Sequence, residues 1–336
     1  MSTLHDAPGA AVVPGWDAVV LAGLAAGDAF ATRAAEHRAL RAVAAGDLGL
    51  GRVLDGHRNA LERLLRHRPE DVAGEDRAAA ASGTVPHGVW GADPRGDEGE
   101  PASIDAGGAT VSGTKVFCSG AGLVRRALVL VRREDRPAES VCVLLDVADP
   151  DRAVVDRGWW RGDVLRSSAS HRVRLDRAPV LATLRSADDG RSALLTEPWF
   201  GGDALRTAVT WAGALDHVVD GTTAAVRARP VSDAEAALLA RAHAARASVD
   251  LWLDHAVHVL EQDPASAPRT ILLARLEVTE RCREALRACA ELTGSHPMAV
   301  DDDVARARAE LDLLLLQHRL TPAAVRVGHA LREEGR

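Results

Sequence analysis

The sequence predicts an α+β chain in three parts: a helical N-terminal domain, a central antiparallel β-barrel or sandwich, and a C-terminal four-helix bundle. Three observations carry this. Apolar residues recur at helical spacing before about residue 67, short β-rich runs between turn residues fill about 82–184, and long helical patterns return after about 203. The boundaries read as 1–80, 81–190 and 191–336.

In the first part, Leu50, Val53, Leu54, His57, Leu61, Leu64 and Leu65 fall three or four apart and make one stripe. Roughly three short helices fit residues 16–67, and the charged stretch 69–79 breaks the pattern. In the second part, Gly, Pro and Asp cluster at 91–101 and 105–108, and strands are predicted at 109–118, 126–132, 140–147 and 171–175. The last of these, Ser170-His171-Arg172-Val173-Arg174-Leu175, alternates polar and apolar as a half-buried strand does. No G-x-G-x-x-G follows a strand, which disfavours a Rossmann nucleotide site. In the third part, helices are predicted over 204–227, 234–261, 269–292 and 302–318. Ser232 or Asp233 caps the second, Gly294 ends the third, and an acidic start at Asp302 suits the dipole of the fourth.

The composition narrows the function. A net charge of -7 argues against a nucleic-acid surface, which draws most of its affinity from a basic stripe. The N-terminus has no basic n-region, and its apolar stretch 18–26 is short and bounded by Asp17 and Asp28, so neither a signal peptide nor a membrane span is read. Cys118, Cys142, Cys282 and Cys289 form no C-x-x-C pair, and a cytoplasmic location with free thiols is expected. Arg is abundant, but Lys115 is the only lysine and there is no tyrosine.

The segment most suggestive of chemistry is Val111-Ser112-Gly113-Thr114-Lys115-Val116-Phe117-Cys118-Ser119-Gly120. Taken alone, it fits a hairpin strand with Phe117 in the core and Ser119 in a turn. It also resembles the middle domain of acyl-CoA dehydrogenases, where a "G-x-K-x-aromatic-x-Ser/Thr-Asn/Gly-G" strand borders the flavin. The resemblance implies an FAD cofactor held by Phe117, Ser119 and Gly120, with the aromatic against the isoalloxazine and the hydroxyl on its edge. Residues 166–173 resemble a later "S-x-S-H-x-V" strand of oxygenase-like members. Gly51 to His57 resembles the end of the family's helical domain, and residues 205–215 its first bundle helix, which would put Arg206 on the substrate side. The implied substrate is a small acyl thioester or related compound, and the implied assembly a homodimer or homotetramer.

The departures are specific. The family's "T-E-P-x-A-G-S-D" loop is replaced by Val89-Trp90-Gly91-Ala92-Asp93-Pro94, where Trp90 either stacks near the flavin or is buried at a strand end. The usual position of the carboxylate that removes the substrate's α-proton falls near Leu316, Gln317 and His318. Gln317 cannot take a proton at neutral pH, and His318 is either a base or a polar residue at a helix end. Glu310 and Asp312 lie one to two turns away. Trp159-Trp160 fits the edge of the β-domain or an interface. Asp254, His258 and Glu261 share a helical face that is expected to be solvated rather than to bind a metal. Three functions remain: a flavin-dependent dehydrogenase, an oxygenase of the same fold, and a catalytically silent partner subunit.

Overall fold

The structure is a computed structural model that describes residues 15–185, 192–300, 302–317 and 320–334. In chain order the described helices are α1 Trp16–Leu21, α2 Arg33–Gly46, α3 Leu48–Glu62, α4 Gly74–Ser82, α5 Trp199–Arg227, α6 Asp233–Gln262, α7 Ala267–Thr293, α8 His296–Ala299, α9 Asp303–Leu314 and α10 Thr321–Glu334. The described strands are β1 His87–Trp90, β2 Ser103–Ile104, β3 Thr110–Cys118, β4 Arg126–Arg133, β5 Ser140–Asp146, β6 Ala153–Asp156 and β7 His171–Leu184. Two compact units emerge: residues 1–29 with 56–196, and residues 30–55 with 197–336. The helices of the first 80 residues are shared out between them.

In the first unit the strand pairing closes on itself. β4 makes a hairpin with β5, β5 pairs β7, β7 pairs β3, β3 pairs β2, and β2 returns to β4. β6 is added along β7. The expected antiparallel pattern holds except at β4, to which β1 and β2 are both parallel. β1, β2 and β6, runs of four, two and four residues, are too short to show a period in the sequence. β7 runs on to Leu184, well past the predicted end.

β4 and β5 are buried on both faces, which is why 127–131 reads as a continuous apolar run rather than an alternating one. Val129, Val131, Val141, Val143 and Leu145 point to one core with Val173 and Leu175. Leu128, Cys142 and Leu144 point to a second core, which takes Ala60 and Leu61 from α3, Leu64 from the turn after it and Ala80 from α4. Residues 69–79 do not simply interrupt the helical pattern: a 3-10 turn at Pro69–Asp71 is followed by α4. The Ala78–Ala81 run supplies helix propensity, and Gly83 ends the helix at φ 67°.

α3 also brings a histidine into the first unit's interior. His57 Nε2 lies 2.9 Å from the Ala25 carbonyl, and its Nδ1 accepts the His87 N–H at 3.1 Å. The Trp16 ring meets it edge-on at 5.1 Å. His57 is thus a neutral imidazole that joins α1, α3 and β1.

In the second unit α5, α6 and α7 pack against one another, and α2 and α9 pack on α5. Ser232 caps α6 through a complete capping box with Glu235, and Gly294 caps α7 at φ 66°. Cys282 and Cys289 are both buried on α7. Arg41 on α2 bonds Asp216 on α5 at 2.6 and 2.8 Å, and a Cβ on Gly213 would collide with the Arg41 carbonyl. The fourth predicted helix is shorter than expected: α9 stops at Leu314, and residues 315–317 form a turn. α10, which follows, had not been predicted. Among the described residues no helix is long and apolar enough to cross a membrane.

Burial, reinforced by each other's proximity or by Arg126, lowers His57 from 6.5 to about 3 and His87 from 6.5 to about 4. The unfolded chain therefore binds protons that the folded chain refuses, so these rings stabilise fully above pH 6.5 and less as pH falls. We expect the urea midpoint to fall between pH 7 and pH 5, with each ring costing about 2 kcal/mol. An unchanged midpoint would contradict this.

Candidate functional site

The site is built on the second half of β3. Lys115 and Cys118 pair with Val173 and His171 of β7, so Val116 and Phe117 together oppose Arg172. This is a β-bulge, which re-aims one side chain. Phe117 takes it up at φ 53°, a left-handed conformation unusual for a bulky non-glycine residue. Its neighbours Val116 and Cys118 are buried, while Phe117 is 52% exposed. Its ring meets Trp159 edge-on at 4.9 Å and Trp160 at 6.0 Å. The indoles are themselves tied: Trp159 Nε1 donates to Glu98 Oε1 at 2.9 Å and Trp160 Nε1 to the Val164 carbonyl at 3.0 Å. The Trp159-Trp160 pair thus braces Phe117 from beside it.

The strand is pinned just before the bulge. Lys115 is fully buried and donates to the Gly91 carbonyl at 3.0 Å, Asp93 Oδ1 at 2.8 Å and the Leu130 carbonyl at 2.8 Å. All three ammonium protons are used. Burial lowers the Lys115 pKa, and the Asp93 carboxylate works against that shift. Asp93 is shared with Arg132 at 2.9 Å. The lone lysine therefore holds the segment 91–93 and β4 against β3. Burial also pushes the Cys118 thiol up, so it stays neutral inside the barrel.

After the bulge the chain turns at Gly120, φ 74°, whose N–H donates to the Ser168 carbonyl at 2.8 Å. Trp90 is 1% exposed and donates from Nε1 to the Ser119 carbonyl at 3.0 Å, so it supports the turn from beneath. The half-buried Ser119 hydroxyl lies 2.9 Å from Ser170 Oγ, which is 2.8 Å from Ser168 Oγ, which donates to the Leu165 carbonyl at 2.7 Å. Leu165 and Ala169, at φ 56° and 45°, are also left-handed non-glycine residues. Such strain clusters where function over-determines the backbone. Next to this chain, burial and Arg157 lower His171 below its ordinary value.

Phe117, Ser119, Gly120 and Trp90 are thus brought together, with Trp90 in a supporting position. Sequence reasoning missed the serine chain and the role of the two tryptophans, although S-x-S and Trp-Trp were both visible. An exposed apolar ring beside a half-buried hydroxyl fits the flat, polar-edged face of a flavin.

The other predicted residues belong to the second unit. Arg206 on α5 is 2% exposed, pairs with Glu36 at 3.3 Å and donates to Asp203 at 3.4 Å. Thr207 donates to buried Asp55 at 3.1 Å, and Arg275 lies over the Trp211 ring at 5.5 Å with its pKa lowered by burial to about 10. Gln317 is exposed in the turn after α9, and His318 lies outside the described residues. Asp254, His258 and Glu261 are exposed on α6.

Replacing Lys115 with Met should cost about 3 kcal/mol, because two carbonyls and part of Asp93 lose their partner. Chemical unfolding checks this, and a loss under about 1 kcal/mol would show that the lysine is not the anchor.

No family model and no curated protein matches the sequence. Solved structures do match. A nitrososynthase from Micromonospora carbonacea var. africana is 17% identical with a TM-score of 0.77, covering 95% of this chain and 89% of that one. A glutaryl-CoA dehydrogenase from Mycobacterium smegmatis, in complex with FADH2, is 17% identical at 0.75, covering 90% and 82%. KijD3, in complex with FMN and dTDP-3-amino-2,3,6-trideoxy-4-keto-3-methyl-D-glucose, is 18% identical at 0.74, covering 90% and 82%. At these identities the similarity speaks to architecture, and it shows that this chain has the acyl-CoA dehydrogenase-like fold.

Proposed function

We propose that the protein is a flavin-dependent oxidoreductase that holds its cofactor, FAD in the first instance, against Phe117 and Ser119. The observation that carries this reading is the outward turn of Phe117 at a strained bulge, next to a hydroxyl whose position is fixed. Left-handed backbone at a non-glycine residue is costly and clusters at ligand-binding positions. In this reading Phe117 forms the apolar wall, Ser119 bonds the ring edge, Gly120 allows close approach, and Trp90 holds the turn from below. A bound flavin would supply two-electron transfer.

The substrate in this reading is a small acyl thioester or related compound. Arg206 sits on the substrate side with its charge balanced by Glu36 and Asp203, and the chain acts as a homodimer or homotetramer. Ordinary α,β-dehydrogenation also needs a carboxylate whose pKa is raised toward working pH. The position expected to provide it is Gln317, an exposed amide in a turn. That observation favours the oxygenase form of the reading, in which the substrate needs no carboxylate at this position.

The test is a titration of the purified chain with FAD and, separately, with FMN, followed by flavin absorbance and tryptophan quenching. Saturable uptake is expected, weakened about fivefold or more in Phe117→Ala, since a stacked heterocycle contributes about 1–3 kcal/mol. A chain that takes up neither flavin would contradict the proposal.

A further inference from the structure

We infer that the serine chain behind Phe117 makes Ser119 an acceptor-only contact, so that the site binds reduced flavin in preference to oxidised flavin. The inference rests on the flavin reading above and adds to it which redox state the protein selects.

A serine hydroxyl has one proton and can donate once. A carbonyl only accepts, so the 2.7 Å bond from Ser168 Oγ to the Leu165 carbonyl commits the Ser168 proton. The 2.8 Å bond between Ser168 and Ser170 must then be donated by Ser170. That commits the Ser170 proton, so the 2.9 Å bond between Ser170 and Ser119 must be donated by Ser119. Ser119 is left with lone pairs alone to offer outward.

The direction is well protected. Ser168 is 0% exposed and Ser170 8%, which keeps bulk water from offering rival partners. The backbone is locked around them: the Ser168 N–H donates to the Leu165 carbonyl at 3.1 Å, and the Gly120 and Ala121 N–H groups to the Ser168 and Ala169 carbonyls at 2.8 and 3.1 Å. The two left-handed residues, Leu165 and Ala169, bracket Ser168 and set the turn that aims its hydroxyl back at Leu165.

Reduction changes the hydrogen-bonding sense of a flavin's ring edge at N5 and, where the reduced ring is neutral, at N1. Oxidised N5 presents a lone pair, reduced N5 presents N–H, and the pyrimidine carbonyls and N3–H are the same in both states. With N5 facing Ser119, an acceptor-only hydroxyl bonds the reduced edge and opposes the oxidised one, lone pair against lone pair.

The experiment is an anaerobic titration of the whole chain with FMN and with FAD, each oxidised and each dithionite-reduced, together with the midpoint potential of the bound flavin. The wild type should bind the reduced form about tenfold more tightly, the worth of one hydrogen bond. Ser168→Ala frees the Ser170 proton to turn toward Ser119, and so frees Ser119 to donate outward. Ser170→Ala frees Ser119 directly. Each variant should bind oxidised flavin more tightly than the wild type does, and its potential should fall by about 30 mV for each tenfold loss of preference. A merely structural role would weaken both forms alike. A wild type that binds oxidised flavin as tightly as reduced overturns the inference, as does an unchanged preference in both variants. In either case flavin is bound and the flavin reading stands. Binding of neither state overturns both.

Discussion

The buried ammonium of Lys115 is the constraint on which the rest of the first unit's site depends. It ties together three pieces of chain: the loop after β1, β3 and β4. An ion this deep in a protein is tolerated only with a full set of acceptors, and Lys115 has one for each proton. Lys115 pairs with Val173 of β7, and the extra residue of β3 is absorbed directly after it, at Val116 and Phe117. Everything that faces outward at the site follows from where that bulge falls.

The local rules for backbone and side chain are broken three times within this neighbourhood, at Phe117, Leu165 and Ala169. Around each break stands a compensating contact. The Trp159 and Trp160 edges support the Phe117 ring, and the Gly120 and Ala121 N–H groups use the carbonyls that flank the left-handed turn. Unlike the histidine pair inside the helical layer, whose function is accounted for by joining α1, α3 and β1, these contacts end at the surface. The distinction separates packing from a binding face.

Much of this fold was legible in the sequence. β3, β4, β5 and the start of β7 show clear β patterning, and α5, α6 and α7 carry long stripes with caps at Ser232 and Gly294. What escaped has physical causes. β1, β2 and β6 are too short for periodicity, and their pairing is decided by long-range contacts. α4 is masked by the charges at its start. At the site, Phe117 and Ser119 stood out through a motif, but a bulge depends on the partner strand and leaves no mark in one segment. Trp90 allowed two readings, and burial beneath Ser119 is the one the structure shows. The lone lysine had no explanation until its three acceptors were seen.

The central claim is that Phe117 and Ser119 form one face of a flavin site. A crystal structure of the chain grown anaerobically with reduced FMN or FAD tests it most directly. The account predicts the isoalloxazine flat against Phe117, with its N5 edge within hydrogen-bond distance of Ser119 Oγ and the serine chain intact. A flavin bound elsewhere on the chain, with Phe117 left bare or covered by protein, would contradict it.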